Sequence, residues 1–355
     1  MKLKRGQNQS ESGSESGEES ETKNMKTRSI GILGGGSWAT ALSKILLNNI
    51  EHLNWWMRDE ASIEHVREFH HNPKYLRDVE FNVSKLSLNN NIREVIAQSE
   101  VLVVAIPSAF LHDALKDCSK DDFKGKLIVS AIKGIVPQYN LVPADYFSQH
   151  WDVDINDIGI IAGPCHAEEV ALERLSYLTA AFMQEEKAIE FTSFLKCRYI
   201  NVSYNNDLIG TEYCAVLKNV YAIGAGICHG LGYGDNFQAV LVSNAIREAE
   251  FLLDQVSPKH RDVKSSAYLG DLLVTCYSQF SRNRTFGNMI GKGYSVKNTM
   301  MEMNMVAEGY YATKCIEEIR LANNVEMPIF QAVYDILYQG KNAKRTMVGL
   351  QDKLI

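Results

Sequence analysis

The 355-residue sequence has no hydrophobic run long enough to cross a bilayer and no closely paired cysteines. Its apolar stretches fall short of the roughly 18 residues that a membrane-spanning helix needs, so stable membrane insertion is not expected. The seven cysteines are odd in number and include no Cys-x-x-Cys pair, which favours reduced thiols over a disulfide framework. No apolar signal segment begins the chain, and a cytoplasmic protein is predicted.

Metal-ligand patterns and a strong excess of one charge are also missing. The nine histidines form no His-Glu-x-x-His or comparable spacing, so no metal site is predicted. The net charge is −6, and part of it comes from residues 1–24, which Ser, Glu and Gly dominate. The near-neutral remainder argues against nucleic acid as a partner. Residues 1–24 are expected to be a disordered acidic extension, unless the biological start is Met25.

A glycine turn follows the first apolar segment. Residues 29–42 read Ser-Ile-Gly-Ile-Leu-Gly-Gly-Gly-Ser-Trp-Ala-Thr-Ala-Leu. Gly34 would permit a tight turn, Gly36 would let the backbone approach a pyrophosphate, and a helix beginning near Ser37 would offer free N–H groups. This strand, turn and helix predict a dinucleotide site, with Ala39 standing where the fingerprint has its last glycine. The alternative is a glycine turn that binds no phosphate.

The choice of dinucleotide depends on two residues after the second apolar segment. Arg58 and Asp59 lie about 20 residues beyond the glycines, where an acid would hold a ribose 2′-hydroxyl and an arginine would accept a 2′-phosphate. Because Arg58 comes first, NADPH is plausible, and NADH stays open. A solvated Arg-Asp pair without a cofactor role is the other interpretation.

The pattern along the chain changes near residue 206. Before it, apolar strand-like runs alternate with helical patterns, which is typical of a doubly wound, Rossmann-like α/β domain. The predicted strands are Ile30–Leu33, Leu53–Met57, Val101–Ile106, Leu127–Ala131, Ile158–Ala162, Leu178–Phe182 and Tyr199–Val202. After it, helical periodicity prevails. We therefore expect a dinucleotide-binding domain over 25–205 and an all-α substrate-binding and catalytic domain over 206–355, with the ligand cleft between them.

Several polar residues stand in apolar surroundings. Lys133 directly follows a buried-type strand, and Lys218 interrupts a helix that is otherwise almost uniformly apolar. Lysine is rarely buried unless it is paired or functional, and desolvation would bring the pKa of its amine towards neutrality. Lys218 is therefore the candidate general acid-base, although a lysine reaching to the helix edge would give the same sequence. Asp271 also lies among apolar residues, and Arg282 belongs to a Ser-Arg-Asn-Arg cluster suited to a phosphate monoester.

In this order, the motifs resemble those of the NAD(P)-dependent glycerol-3-phosphate dehydrogenase family, bacterial type. The resemblance covers residues 29 to about 340. It rests on Gly-Gly-Gly-Ser-Trp-Ala-Thr-Ala-Leu (34–42), Ile-Pro-Ser (106–108), Lys-Gly (133–134), Gly-Pro-x-x-Ala-Glu-Glu (163–169), Lys-Asn-Val-x-Ala-Ile-Gly-Ala-Gly (218–226), Leu-Gly-Asp-Leu (269–272), Ser-Arg-Asn-Arg-x-Phe-Gly (281–287) and Glu-Gly-Tyr (308–310).

The resemblance implies a role for individual residues. Lys218 would be the proton acceptor in the interconversion of sn-glycerol 3-phosphate and dihydroxyacetone phosphate, which supplies phospholipid synthesis. The cofactor, NADPH or NADH, would contact Gly34, Gly36, Ser37, Trp38, Arg58, Lys133, Ala167, Arg282, Val306 and Glu308. The phosphorylated triose would contact Lys133, Gly163, Cys165, Lys218, Asp271, Ser281, Arg282 and Asn283. A homodimer is the oligomeric state expected from the family.

Two residues, Ala39 and Cys165, depart from the family pattern, and two other functions stay open. Family members commonly have a small hydroxyl residue where Cys165 stands, which puts one substrate hydrogen bond in doubt. A related two-domain dehydrogenase, of the 3-hydroxyacid or ketopantoate type, would act on carboxylates instead of phosphates. A non-catalytic dinucleotide sensor would have no need of Lys218 in an apolar helix or of residues 281–284.

Overall fold

The computed structural model describes residues 28–303 and 307–355. The predicted acidic extension over 1–24 and the predicted cofactor contact Val306 lie outside these described residues. None of the described helices combines the length and apolar character that crossing a membrane requires.

A single eight-stranded sheet organises the first part of the chain, with strand order β3-β2-β1-β4-β5-β6-β7-β8. The strands are β1 (Ile30–Leu33), β2 (Leu53–Trp56), β3 (Leu86–Asn89), β4 (Val101–Val104), β5 (Leu127–Ser130), β6 (Ile158–Ala162), β7 (Ser176–Phe182) and β8 (Ile200–Asn205). All neighbouring pairs are parallel except β6 and β7, which run antiparallel. Successive residues of the central strands contribute to separate apolar clusters, as strands buried on both faces do.

Helices cover both faces of this sheet, which confirms the predicted doubly wound fold. The first helix begins at Ser37, where the sequence predicts it. The helices of this part are α1 (Ser37–Leu46), α2 (Glu60–Phe69), α3 (Ile92–Ala97), α4 (Ser108–Leu115), α5 (Pro143–Trp151), α6 (Ala167–Ala171) and α7 (Glu185–Leu195).

The predicted strands agree with the structure best where an apolar run is bounded on both sides. β1 and β6 have the predicted limits. The predicted run Val101–Ile106 is too long, because the strand ends at Val104 and the chain then turns towards α4. The prediction missed β3 altogether, since this edge strand is only partly buried and its sequence Leu-Ser-Leu-Asn contains no apolar run.

After β8, the described residues form helices and no strand, as the sequence predicts. These helices are α8 (Leu208–Gly230), α9 (Asp235–Val256), α10 (Asp271–Tyr277), α11 (Arg282–Gly291), α12 (Val296–Glu302), α13 (Glu308–Ala322), α14 (Pro328–Tyr338) and α15 (Ala343–Leu350). A π-helical turn, Ser266–Gly270, immediately precedes α10. Helix α8 is the centre of this part, because every residue from Gly210 to Cys228 is buried.

Helices α8 and α11 approach each other so closely that only glycine fits at the contact. A Cβ on Gly287 of α11 would lie 2.0 Å from the carbonyl oxygen of Ile223, and one on Gly226 of α8 would lie 2.1 Å from that of Arg284. The missing side chains bring the two backbones together. They thereby bring the start of α11, with Arg282, towards the middle of α8.

We expect Gly287→Ala to destabilise the fold, because its methyl group would force α11 away from α8. Overpacking of this kind costs about 1–3 kcal/mol of unfolding free energy, measurable by urea denaturation. Gly349→Ala is the matched control. It is also helical, but a Cβ there meets no atom within 4 Å among the described residues. Equal stability of the two variants would contradict the close-contact explanation.

Candidate active site

The glycine turn lies at the carboxyl end of β1. Gly34 adopts a φ of +142°, and a Cβ there would lie 2.5 Å from the carbonyl oxygen of Ala105 after β4. Its own carbonyl accepts a 2.7 Å hydrogen bond from the indole nitrogen of Trp55. The amide of Asn72 donates to the carbonyl of Gly35 at 3.1 Å and fixes the turn from outside. Sequence reasoning missed Asn72, which belongs to no motif and lies in a loop.

The turn is shaped to accept a dinucleotide phosphate. Gly36 is the N-cap of α1, and the position of its absent Cβ opens onto free space among the described residues. The hydroxyl of Ser37, the first residue of the helix, accepts a 2.8 Å hydrogen bond from the Arg282 guanidinium. Free N–H groups, the positive end of the helix dipole and a guanidinium thus meet at one point. The residues present fit a pyrophosphate.

Trp38 and Lys133 connect the turn to the neighbouring strand. The Lys133 amine lies 5.3 Å from the centre of a Trp38 ring, in a cation–π arrangement. The indole nitrogen of Trp38 is buried and has no hydrogen-bond partner among the described residues. Lys133 follows β5, so the lysine predicted from the strand end lies in the same cleft as the glycine turn.

Arg58 stands apart from the other predicted site residues. It is exposed beyond the end of β2, and it makes no hydrogen bond or ion pair with any described residue. Its neighbour Met57 packs against Gly35 of the turn. Asp59 is engaged elsewhere, because it accepts 2.7 Å hydrogen bonds from both Ser62 and Lys74. The free group at this strand end is therefore the arginine.

A buried ion pair lies at the centre of the site. The amine of Lys218, in the middle of α8, pairs with one carboxylate oxygen of Asp271, the first residue of α10. The other oxygen accepts a 3.2 Å hydrogen bond from the backbone of Gly163, after β6, and lies 3.9 Å from the Lys133 amine. Lys218 is only 4% exposed and Asp271 only 2%. The structure thus brings together four predicted residues from four separate elements.

Burial and charge act in opposite directions on this pair. Burial lowers the pKa of Lys218 to about 7, even though the negative charge of Asp271 raises it. Burial also opposes ionisation of Asp271, but the Lys133 and Lys218 amines outweigh it and keep the pKa of this carboxyl below its ordinary value. The result is an amine that can gain or lose a proton near neutral pH beside a carboxylate that stays charged.

A chain of amide hydrogen bonds links both parts of the molecule beside this pair. The Asn219 amide donates to the Lys133 carbonyl at 2.6 Å and accepts from the Asn283 amide at 2.9 Å. The Asn283 oxygen accepts from the backbone of Gly309 at 3.0 Å. In the sequence, Asn219 stands in the motif beside Lys218, and no role is predicted for it. Its position as a second polar residue in an apolar helix was the available signal.

Glu308 closes the cleft from the helical part. It is the first residue of α13, and its carboxylate accepts a 3.4 Å hydrogen bond from the backbone of Ser108, at the start of α4. Burial raises its pKa. Glu308 therefore connects the helical part to the strand ends near Lys133, where the family resemblance implies a cofactor contact.

The loop after β6 supplies the remaining predicted contacts. Gly163 has a φ of +111°, Cys165 is buried, and Ala167 begins α6. Burial raises the pKa of the Cys165 thiol to about 12, so this thiol stays protonated. Burial lowers the pKa of the adjacent His166 to about 4, and its Nε2 has no hydrogen-bond partner among the described residues.

The predicted phosphate-binding cluster lies at the start of α11. Ser281 is its N-cap, accepting a 3.3 Å hydrogen bond from the backbone of Arg284, and Arg282 and Asn283 are its first two residues. Across residues 28–303 and 307–355, no three His, Cys, Asp or Glu side chains come together in a way that could hold a metal ion. A buried amine, an oriented carboxylate and a guanidinium at a helix terminus suit proton exchange on a phosphorylated substrate.

Comparison with known proteins finds two matching family models. Residues 29–188 match the N-terminal model of NAD-dependent glycerol-3-phosphate dehydrogenase, and residues 207–348 match its C-terminal model. Glycerol-3-phosphate dehydrogenase [NAD(P)+] of Macrococcus caseolyticus is 31% identical, over 91% of this chain and 98% of that protein. The Bacillus subtilis protein of the same name is 32% identical, over 91% and 94%. The crystal structure of glycerol-3-phosphate dehydrogenase from Coxiella burnetii superimposes with a TM-score of 0.84 at 25% identity, over 91% of this chain and 98% of that one.

We expect Arg58→Ala to raise the KM for NADPH about tenfold, because a 2′-phosphate would lose a charge-assisted hydrogen bond. The KM for NADH should stay within about twofold, since NADH lacks that phosphate. Steady-state titration of both cofactors makes the measurement. Arg93→Ala, which removes an arginine paired with Asp122 instead, is the control. An equal rise for both cofactors would show that Arg58 does not recognise the 2′-phosphate.

Proposed function

The chain belongs to the NAD-dependent glycerol-3-phosphate dehydrogenase family, and we propose that Lys218 is the proton-transfer group with which it interconverts sn-glycerol 3-phosphate and dihydroxyacetone phosphate. The observation that carries the proposal is the burial of Lys218 against Asp271, which gives an amine with a pKa near neutrality. An ordinary surface lysine, with a pKa near 10.4, would hold its proton too firmly to act as a base at neutral pH.

The hydride and the proton that the reaction transfers have separate sources. The bound NADPH or NADH supplies the hydride that C2 receives when the ketone is reduced. The Lys218 amine gives a proton to the C2 oxygen in that direction and takes it back when glycerol 3-phosphate is oxidised. Asp271 remains ionised and steadies the protonated amine. Positioned proton transfer of this kind contributes roughly 10²- to 10⁴-fold to a rate.

Binding of the two phosphorylated ligands is assigned to residues on both sides of the cleft. Arg282 supports both ligands, because it belongs to the substrate cluster with Ser281 and Asn283 and also reaches Ser37 at the dinucleotide turn. Anchoring the substrate phosphate there would use remote binding energy to orient C2. The remaining cofactor contacts are assigned to Gly34, Gly36, Ser37, Trp38, Arg58, Lys133, Ala167 and Glu308, and the remaining substrate contacts to Lys133, Gly163, Cys165 and Asp271. In this scheme residues 25–205 bind the dinucleotide and residues 206–355 bind the substrate.

The two alternative functions fit the site less well. A dehydrogenase for 2-oxo acids would need groups placed for a carboxylate, whereas the cationic cluster at α11 suits a phosphate monoester. A sensor that only binds the dinucleotide has no use for a buried lysine beside a buried carboxylate, since such a pair costs desolvation energy. The glycerol 3-phosphate produced would serve phospholipid synthesis, in the cytoplasm.

The proposed assembly is a homodimer, for which an apolar surface near β7 is the supporting feature. Leu172 and Leu175 are each 61% exposed, and Tyr177 of β7 is 46% exposed. Grouped exposed apolar side chains are typical of surfaces that another protein covers. We assign this surface to a second copy of the chain.

We expect analytical ultracentrifugation to give twice the chain mass of 39.9 kDa for the unaltered protein. The Leu175→Glu variant should give the mass of one chain. A charge in the apolar contact would remain desolvated and unpaired in the dimer. Leu321→Glu is the matched control, because Leu321 is equally exposed at 61% but lies on α13. A dimer that survives Leu175→Glu would place the interface elsewhere.

We expect Lys218→Met to lower kcat for dihydroxyacetone phosphate reduction by 10²- to 10⁴-fold, because it removes the proton donor and keeps much of the side-chain volume. The rate of NADPH oxidation measures the turnover. Assays with 2-oxo acids serve as a comparison, and these substrates should not react. Lys126→Met is the control, since this lysine bonds the Ser99 carbonyl at the opposite end of the sheet from the site. Near-normal turnover by a folded Lys218→Met protein would refute the assignment.

The pH profile of the unaltered enzyme provides the reference for that variant. Reduction needs the protonated amine, so its kcat should fall as the pH rises through about 7, whereas oxidation should speed up over the same range. The Lys218→Met protein should lose this pH limb together with its activity.

A further inference from the structure

The carboxylate of Asp207 joins two segments that position the catalytic pair. Asp207 follows β8, is 6% exposed and is the N-cap of α8, accepting a 3.2 Å hydrogen bond from the backbone of Gly210. It also accepts 2.8 Å and 2.7 Å hydrogen bonds from Arg261 Nε and the Tyr268 hydroxyl. Burial would raise the pKa of Asp207, but these partners lower it below its ordinary value. Asp207 thus holds the helix that carries Lys218.

The Tyr268 hydroxyl is the link between this carboxylate and Asp271. Tyr268 is buried within the π-helical turn Ser266–Gly270, and Asp271 follows that turn directly. The same hydroxyl accepts a 3.3 Å hydrogen bond from Thr211, in the first turn of α8. π-Helical turns are rare and occur often at functional sites. Asp207 and Thr211, at the start of the helix that carries Lys218, bond the Tyr268 hydroxyl and so hold this π-helical turn.

We propose that Tyr268 is a positioning residue, which holds the π-helical turn against Asp207 and Thr211 and so sets the placement of Asp271 beside Lys218. The proposal rests on the proposed function, in which Lys218 transfers the proton. A hydrogen bond to an ionised acceptor is stronger than one between neutral groups, so the tie to Asp207 is suited to fixing backbone geometry. The Tyr268 hydroxyl bonds Asp207 and Thr211, neither of which is assigned to cofactor or substrate binding, and the Tyr268 carbonyl accepts the backbone N–H of Asp271.

Several other titratable groups lie near Lys218 and Asp271, and a test of Tyr268 must leave them unchanged. Lys133 faces Asp271 from the end of β5, and Glu308 faces the two lysines from α13. His166 lies near Asp271 on the β6 loop, and the buried thiols near the pair are those of Cys165, Cys214 and Cys276. Replacing the Tyr268 hydroxyl removes none of these groups.

The test is Tyr268→Phe, read by the pH profile of dihydroxyacetone phosphate reduction. Because a close Asp271 favours the protonated form of Lys218, loosening its placement should shift the descending limb to lower pH by about 0.5 unit. Misplacement of the acid should also lower kcat about tenfold, with the KM for the cofactor within about twofold. Tyr199→Phe, which removes a buried hydroxyl bonded to Asn48 in the sheet domain, is the control and should leave the limb in place.

A double-mutant cycle distinguishes positioning from simple stabilisation. In an Asp271→Asn background, Tyr268→Phe should cause no further shift of the limb, because the charge through which it acts is gone. An unshifted limb in Tyr268→Phe, or an equal shift with and without Asp271, would overturn the proposal. If Tyr268→Phe does not fold, Thr211→Val removes the weaker of the two bonds to the Tyr268 hydroxyl, together with the Thr211 contact to Asn205. A smaller shift in the same direction then supports the proposal, and no shift overturns it. Failure of the proposed function would show separately, as full activity of Lys218→Met.

Discussion

The desolvated charge of Lys218 is the constraint around which the site is built. An ammonium group inside an apolar helix is tolerated only beside a counter-charge that is itself held by further hydrogen bonds. Asp271 provides that charge, and the Gly163 amide and Lys133 satisfy its second oxygen. These partners come from the ends of two strands and from a separate helix. Satisfying one buried charge therefore requires that the helical part be docked on the carboxyl edge of the sheet.

Two further features make that docking specific. The glycine contact between α8 and α11 sets the distance from Lys218 to the cluster at Arg282. The Asn219 and Asn283 amides then form a directional hydrogen-bond chain from the Lys133 carbonyl to the start of α13. Apolar packing alone would allow α11 to slide or rotate on α8, because it has no preferred direction. In any other register of the two helices, the amides of Asn219 and Asn283 would lose their hydrogen-bond partners.

The sequence was sufficient to predict strands and helices that a local pattern determines. It was insufficient where the structure depends on contacts between distant residues. The limits of β1, the start of α1 and the burial of α8 follow from apolar runs and glycine turns. The edge strand β3 has no such run, and the antiparallel direction of β7 depends on the connection through α6. The sequence context and the family resemblance both predict Lys218, Asp271 and Arg282 as site residues, but no spacing could reveal that the first two form one ion pair. Asn72 and Tyr268 act through hydrogen bonds to residues far along the chain or outside any motif, so neither left a signal.

Under the proposed role of Lys218, the balance around its amine also explains how one residue would serve both directions of a reversible reaction. Burial alone would lower the pKa of the amine until it no longer held a proton for the reduction, whereas the Asp271 charge alone would hold the proton too tightly for the oxidation. The two effects oppose each other within one pair, and Lys133 adds a second positive charge on the side of deprotonation. The attraction between Lys218 and Asp271 varies with their separation, while the burial of Lys218 is fixed by α8. The placement of Asp271, rather than the burial of the lysine, is therefore the feature through which the pKa of Lys218 and the proposed working pH of the site would be adjusted.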